Sequence, residues 1–312
     1  MKDKKKIIVC LIGPTASGKT KVALRLARRI RAEIIACDSM QVYKGIKILS
    51  ARPSPAEQRL VAHHLINIIL PSRKFNAASF RTLAKKSIRD IHRRKKIPLI
   101  VAGTGLYLRA LLDGLFPGPQ ADFGLRRKLN AQAERYGKGY LYRKLKKVDP
   151  AAAGLIHPHD LRRIIRALEV YKLCGRTISE LKKQTRGIKD TYRVFIFGLQ
   201  RQREDLYRRI DRRVERMFGQ GAVEEIKALA RRRLSQTAKS LLGYKEINAY
   251  LKGRYSCAMA RELLKQNTRR YAKRQLSWFR HQQGIKRVKV SPGDNAKVIA
   301  EKIFSQLPAL KL

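Results

Sequence analysis

The sequence predicts an α/β protein: a doubly wound parallel sheet core, a helical insertion domain and a largely helical C-terminal part. Three observations carry this prediction. Four short runs rich in Ile, Val, Leu or Phe (Ile7–Ile12, Glu33–Cys37, Pro98–Gly103 and Tyr192–Leu199) have the composition of strands buried on both faces. The first two runs are separated by a loop and a helical stretch, an order that requires a right-handed crossover and therefore a parallel pair. Between Pro117 and Asp190 no strand pattern occurs, and at Tyr192 a buried-strand pattern returns.

The elements follow in order. Lys19 to Arg31 reads as a helix whose broad apolar side is Val22, Leu24, Leu26, Ala27 and Ile30. Asn76 to Arg94 is a second, with Phe80, Leu83, Ala84, Ile88 and Ile91 at core spacing. A Pro/Gly-rich connection, GLFPGPQADFG from Gly114, then leads into helices only, until about Lys189. The simplest organisation is a core of residues 1–117 and 191–312, interrupted by a helical insertion of residues 118–190. After Gln200 the reading is nearly all helix: Glu204–Phe218, Ala222–Arg233, Thr237–Leu251 and Cys257–His281, then a last strand at Val288–Val290. There is no fixed-period repeat and no low-complexity tract.

Composition narrows the function. With 312 residues and 44% hydrophobic content the chain can bury a substantial core, which excludes disorder as its main description. No apolar run reaches the roughly 18 residues of a membrane span. The basic start MKDKKK and short apolar stretch IIVCLI run into a glycine loop, not a small-residue cleavage site, so no signal peptide is expected. Cys10, Cys37, Cys174 and Cys257 lie far apart with no CxxC pair, offering neither a zinc site nor a disulfide framework. A reducing, cytoplasmic setting is expected. The formal net charge is +49, which calls for a polyanion partner, nucleic acid foremost. A host-wide Lys/Arg bias is the alternative source of that charge.

Residues 13–20 read Gly13-Pro14-Thr15-Ala16-Ser17-Gly18-Lys19-Thr20, the GxxxxGK[ST] pattern between a strand and a helix that defines a P-loop. Its successive N–H groups and helix N-terminus favour a phosphate or diphosphate, Lys19 reaches the phosphates, and Thr20 is placed to ligate Mg²⁺. The second strand ends in Cys37-Asp38-Ser39-Met40-Gln41-Val42-Tyr43. Ligands of open parallel sheets bind beyond the carboxyl ends of strands, so Asp38 should face the loop's ligand. There it could hold Mg²⁺ through water or act as a general base; capping a short helix is the alternative. The third strand ends in Ala102-Gly103-Thr104-Gly105-Leu106-Tyr107. Thr104 either points its hydroxyl at a ligand or caps the following helix. Absent are an Asn-Lys-x-Asp guanine motif, an arginine-rich helicase core and an apolar strand ending in Asp-Glu. A P-loop without those partners holds phosphate for a purpose other than nucleotide-driven motion.

GPTASGKT, DSMQVY, AGTGLY, RRIIRALEVY (162–171), LYRRIDRRVERM (206–217), LLGYKE (241–246) and KRQLSWFR (273–280) resemble, in order, the motifs of the tRNA isopentenyltransferase (tRNA dimethylallyltransferase) family. The resemblance spans Gly13 to Arg280. It implies transfer of the five-carbon unit of dimethylallyl diphosphate to the exocyclic N6 of the adenosine just 3′ of the anticodon, with Mg²⁺ as cofactor. It further implies Asp38 as general base, Thr104 as a second contact to the target amine and Arg213 near the diphosphate. Residues Gly13 to Thr20 then form the prenyl-diphosphate site. The tRNA-contacting segments implied are Asp38, Ser39, Met40 and Gln41; Arg162, Arg163, Ile164, Ile165 and Arg166; Ser240, Leu241, Leu242, Gly243, Tyr244 and Lys245; and also Thr104 and Arg126. From the residues alone, Arg166, Arg209 and Arg213 read first as a solvated helix face. In the family the target base is pulled from the anticodon loop, and the insertion 118–190 clasps the stem-loop. A monomer in the cytoplasm, with tRNA and dimethylallyl diphosphate as partners and no membrane, completes the expectation.

Tyr271 and Trp278, seven residues apart in TRRYAKRQLSWFR, could stack bases or pack in the core. One stretch departs from the family: where Gly-Thr-Ala-Lys-Pro is usual, the chain has Leu49-Ser50-Ala51-Arg52-Pro53. Arg52 keeps the charge, but loss of the Gly-Thr pair leaves the local backbone in doubt. Two rival readings remain. A small-molecule P-loop kinase leaves the charge and the insertion without a task, and a non-enzymatic RNA-binding protein leaves the P-loop idle.

Overall fold

The computed structural model describes residues 5–308; the basic start at residues 1–4 and the last four residues lie outside it. The strands are β1 (Ile7–Ile12), β2 (Ala32–Cys37), β3 (His63–His64), β4 (Ile97–Ala102), β5 (Arg193–Gln200) and β6 (Ile285–Lys289). They form one parallel six-stranded sheet in the order β3-β2-β4-β1-β5-β6. Crossovers run to one side of β1 for the first strands and to the other for the last two, as a doubly wound sheet requires. The expected strand runs are present within a residue or so, except the last, which begins three residues earlier than expected. β3 was not legible, because two histidines carry no apolar run.

Alternation along the strands divides the core in two. Ile8, Cys10, Ile12, Ile35, Cys37, Ile100 and Ala102 face one side, where they meet Phe80, Ile88 and Ile91 of α3 (Ala77–Arg93). Val9, Leu11, Ile34, Leu99, Phe197 and Leu199 face the other, against α1 (Lys19–Arg29). Helix α2 (Pro55–Leu60) starts at a capping box made by Ser54 and Glu57, and α4 (Gly105–Leu112) follows β4 directly.

Residues Asp113–Gly187 form a compact unit of their own. It is helical throughout: α5 (Phe123–Tyr136), α6 (Lys138–Val148), α7 (Pro150–Leu155), α8 (Leu161–Cys174) and α9 (Ile178–Lys183). Leu129, Leu141, Leu145, Ile164 and Leu168 supply its core. Glu169 is fully buried within it and is neutralised by a bidentate pair with Arg126 (2.8 Å for each bond) and by Arg166 (2.6 Å). At its base Gly114, at φ +94°, approaches so close that a Cβ there would lie 2.6 Å from the Arg186 carbonyl oxygen.

The remaining chain returns to the main unit through β5 and continues as α10 (Arg203–Gly219), α11 (Ala222–Ala230), α12 (Tyr244–Leu251), α13 (Cys257–Arg280) and α14 (Ala296–Phe304). The single helix expected over Thr237–Leu251 is broken. A 3-10 turn at Ala238–Ser240 is followed by an extended Leu241 and by Gly243 at φ +95°, and only then does α12 begin. The apolar residues of that stretch gave the right burial but could not reveal the left-handed glycine between them.

Candidate active site

Because β2, β4 and β1 are neighbours, the segments that leave their carboxyl ends lie side by side. These segments are the P-loop after β1, Asp38 after β2 and Gly103-Thr104 after β4. The pairings Ile12 with Ala102 and Cys37 with Ala102 put all three at one level. They open on a cleft of about 540 Å³ lined by Thr15 to Lys21, Asp38, Gln41, Gly103, Arg209, Arg212, Arg213, Arg216, Tyr271 and Gln275, among others. That volume is in the usual range for a small-ligand site.

The P-loop takes its shape from two left-handed residues, Ala16 at φ +60° and Gly18 at φ +96°. Two arginines hold it from outside. Arg209 Nε donates to the Ala16 carbonyl and Arg201 Nε to the Ser17 carbonyl, each at 2.9 Å. Arg201 is itself fixed by Asp205 at 2.8 Å. The N–H groups of Thr15 and Ser17 are taken by the Gln275 side chain (2.8 Å) and the Pro14 carbonyl (3.3 Å), so it is the N-terminus of α1, with Gly18 to Thr20 in the lining, that faces the cleft. The Ser17 hydroxyl is fully buried and has no hydrogen-bond partner, an unmet polar group in the wall of an anion cradle.

Cations dominate the lining. Arg209, Arg212, Arg213 and Arg216 recur at helical spacing on one side of α10, while Leu206, Ile210, Val214 and Met217 on the other side are buried. The solvated-face alternative for Arg209 and Arg213 therefore fails: both line the cleft. Burial and neighbouring positive charge depress the basicity of each, and Asp38 partly opposes this at Arg213. Lys19 donates to the carbonyls of Gly13 and Pro14, each at 2.7 Å. Burial pulls its ammonium down to about 7, Arg213 adds to the pull and Asp38 opposes it. Such a concentration of desolvated cations is an anion site.

Asp38 does two things at once. Its Oδ1 accepts from the backbone N–H groups of Met40 (2.8 Å) and Gln41 (3.2 Å), so it caps a turn, not a helix. Its Oδ2 lies over Gly103, where an added Cβ would sit 3.4 Å away. Thr104 likewise combines the two readings left open by the sequence. Its carbonyl accepts the first bond of α4 from Leu108, whereas its hydroxyl turns to the site, accepting from the Ser39 N–H at 3.2 Å. Tyr271 lies near Thr104 and Asp38; burial, with the Asp38 charge, raises its hydroxyl's pKa so that it stays protonated.

Tyr271 and Gln275, one helical turn apart on α13, both belong to the cleft; the sequence offered Tyr271 as a base-stacking or core residue and did not single out Gln275. The signal for Gln275 was available in the KRQLSWFR motif and in its i, i+4 spacing from Tyr271. Trp278, the other aromatic of that stretch, packs flat against Gly105, where an added Cβ would sit 2.3 Å from its ring.

The other sequence candidates divide by position. Ser240, Leu241, Leu242 and Lys245 border a second hollow of about 450 Å³ with Lys239, Asn267 and Arg274, whereas Gly243 and Tyr244 are not in its lining; Lys245 is exposed and Leu241 buried. In the helical unit Arg162 and Arg163 are exposed, whereas Ile164 and Ile165 are buried in its core. Arg126 and Arg166 carry the Glu169 pairings described above.

The donor set fits a magnesium ion bound together with a phosphate ligand. Thr20 and Asp38 both line the cleft, and no group of three or more His, Cys, Asp or Glu among the described residues forms a cage without it. Magnesium characteristically takes one or two carboxylates plus substrate phosphates.

The profile of the IPP transferase family matches residues 41–282. The chain belongs to the IPP transferase family. Within it, the tRNA dimethylallyltransferase of Halothermothrix orenii is 46% identical over 297 residues, covering 94% of this chain and 90% of that one. The structure of a tRNA isopentenylpyrophosphate transferase from Bacillus halodurans superposes with a TM-score of 0.70 at 40% identity, covering 97% of this chain and 96% of that one. A eukaryotic dimethylallyltransferase solved while acting on tRNA gives a TM-score of 0.77 at 30% identity, covering 96% of this chain and 77% of that one. The family's prenyl-transfer chemistry gives an anion cradle beside a carboxylate a common purpose.

Proposed function

We propose that this chain transfers the dimethylallyl group of dimethylallyl diphosphate to the exocyclic N6 of the adenosine 3′-adjacent to the anticodon of tRNA, releasing diphosphate. The observation that carries the reading is the P-loop cradle and Asp38 in one cleft, with Thr104 next to Gly103 of its lining, in a chain of this family. In the reaction the N6–C1 bond forms, the C1–oxygen bond to diphosphate breaks, and the amine's proton passes to a base. The adenine amine is a weak nucleophile because its lone pair is delocalised, so Asp38 takes that proton as the bond forms. Thr104, held by Ser39, fixes the amine beside Asp38. The diphosphate gains charge as it leaves, and the fixed N–H groups of the loop, Lys19 and Arg213 stabilise it most at that point. Magnesium, held by Thr20, would supply further charge neutralisation on the diphosphate.

Exposed Arg162 and Arg163 on the helical unit, and Ser240 to Lys245 on the main unit, are the segments proposed to meet the anticodon stem-loop. The net charge of +49 supports a large phosphate term in that binding. No helix among the described residues is long and apolar enough to cross a membrane. The test is to incubate the chain with Mg²⁺, dimethylallyl diphosphate and an unmodified tRNA, then analyse the nucleosides by mass spectrometry. A dimethylallyl increment on adenosine, without ATP, is expected; tRNA binding with no increment would overturn the reading.

A further inference from the structure

The motif KRQLSWFR is the one stretch of the family pattern that the mechanism above leaves without a task, and its Gln275 is only 7% exposed. Both ends of that side chain are committed. The carbonyl oxygen accepts from the backbone N–H of Thr15 in the P-loop at 2.8 Å. The amide nitrogen donates to the carbonyl of Gly103, beside Thr104, at 2.7 Å. One planar amide therefore joins the loop that cradles the diphosphate to the loop that presents the acceptor contact. The two loops are 88 positions apart and share no other side-chain bridge of this kind among the described residues.

From this we infer that Gln275 is a positioning residue, setting the distance between the diphosphate loop and the Gly103-Thr104 loop so that C1 of the donor meets the acceptor amine. The inference rests on the proposed prenyl transfer. Its physical basis is that two reactants bound to separate loops gain rate only if the loops hold a near-attack separation. Neighbours on α13 hold the amide in place. One turn before it Tyr271 is half-buried in the cleft lining, and one turn after it Phe279 is buried while Trp278 seats on Gly105. Glutamine suits this role because it offers one acceptor and one donor without charge. A carboxylate here would face the Gly103 carbonyl without a proton to donate and would add negative charge beside the diphosphate.

Loosening the tie has a chemical signature. When the amine is out of line, water can capture the allylic carbon instead. The C1–oxygen bond to diphosphate breaks, C1 bonds a water oxygen, and the water's proton goes to solvent, giving dimethylallyl alcohol and diphosphate. A fold defect lowers both products together, whereas mispositioning shifts the ratio between them.

The experiment compares wild type, Gln275→Met and Gln275→Glu with Leu264→Ala, a core change on the same helix that only destabilises. Single-turnover transfer to bound tRNA, alcohol release, tRNA affinity and thermal midpoint are measured for each. Gln275→Met is expected to slow transfer about 10- to 100-fold with tRNA affinity within about 3-fold, and to raise the alcohol-to-transfer ratio at least about 5-fold. Gln275→Glu should be slower still. Transfer by Gln275→Met within about 2-fold of wild type, or a loss with the alcohol ratio of Leu264→Ala, would overturn the inference. Lack of transfer by the wild-type chain would instead overturn the underlying assignment, a result distinct from failure in the variants alone.

Discussion

Ser39 and Thr104, 65 residues apart, are joined by a 3.2 Å hydrogen bond from the Ser39 N–H to the Thr104 hydroxyl. The bond exists because β2 and β4 are adjacent, with Cys37 opposite Ala102, so the segments that follow emerge together. Two motifs that read separately in sequence thus contribute Asp38, Gln41 and Gly103 to one wall of the cleft, and beside it the Ser39 N–H orients the Thr104 hydroxyl.

Thr104→Val keeps the side chain's shape but removes the hydroxyl, leaving the Ser39 N–H without its partner. Transfer should fall about 10- to 100-fold, with Thr104→Ser recovering most of it, because orientation and not bulk is lost. Single-turnover kinetics of the two variants check this; equal loss in both would contradict it.

Lys19 gives a prediction about protons. Its ammonium is pulled down from 10.5 to about 7 in the free protein, and an anionic diphosphate beside it favours the charged form. Between pH 7 and the raised value in the complex, binding must therefore take up as much as one proton. Affinity for diphosphate should weaken as pH rises above about 7, by at most about tenfold per unit. Titration calorimetry at pH 8.5 in buffers of differing ionisation enthalpy should reveal the uptake, and Lys19→Met should abolish it. The same shift means that the free protein gains stability as pH rises from about 7 towards 10.5.

At the opposite end of the sheet Glu33 is buried. Desolvation raises its pKa, but hydrogen bonds from Arg94, His64 and Lys96 overcome this and bring it from 4.5 down to about 2. A carboxyl depressed by folding stabilises the protein above its unfolded value, and that stability is lost as pH falls from about 4.5 through about 2. Glu33→Gln should cost about 1–3 kcal/mol at neutral pH and flatten the acid limb of stability. Denaturant unfolding at several pH values provides the measurement.

The departure at Leu49 has a physical account. Its side chain is buried against Gly243, where an added Cβ would come within 2.9 Å of Leu49 Cδ2, and its backbone N–H is held by Glu225 at 3.0 Å. Leu49 itself has no positive φ, so a glycine is not required there. Gly243→Ala, which must adopt φ +95° and meet Leu49, should destabilise by about 1–3 kcal/mol. Leu49→Ala should cost less in the Gly243→Ala background than alone. Strict additivity in the double-mutant cycle would contradict the packing account.

The sheet was legible because each buried strand is an uninterrupted apolar run, and the P-loop because its spacing is specific in a strand-to-helix setting. Asp38 and Thr104 were legible from where their strands end. The sequence could not show that Gln275 reaches back to loops more than 150 residues away, because long-range hydrogen bonds leave no local periodicity. The arginines of α10 looked like solvated charge for the same reason: only the tertiary fold turns that side of the helix into the cleft. Gly243 interrupted an apparently continuous helix, and β3 is too short to carry a pattern.

Asp38→Asn tests the central claim most directly. Asparagine retains an oxygen that can accept from Met40 and Gln41, so the turn survives while the base is removed. Single-turnover transfer from dimethylallyl diphosphate to tRNA should fall about 10²- to 10⁴-fold, with the affinities for tRNA and diphosphate within about 3-fold of wild type. Transfer at the wild-type rate would contradict the assignment of Asp38 as the base in this cleft.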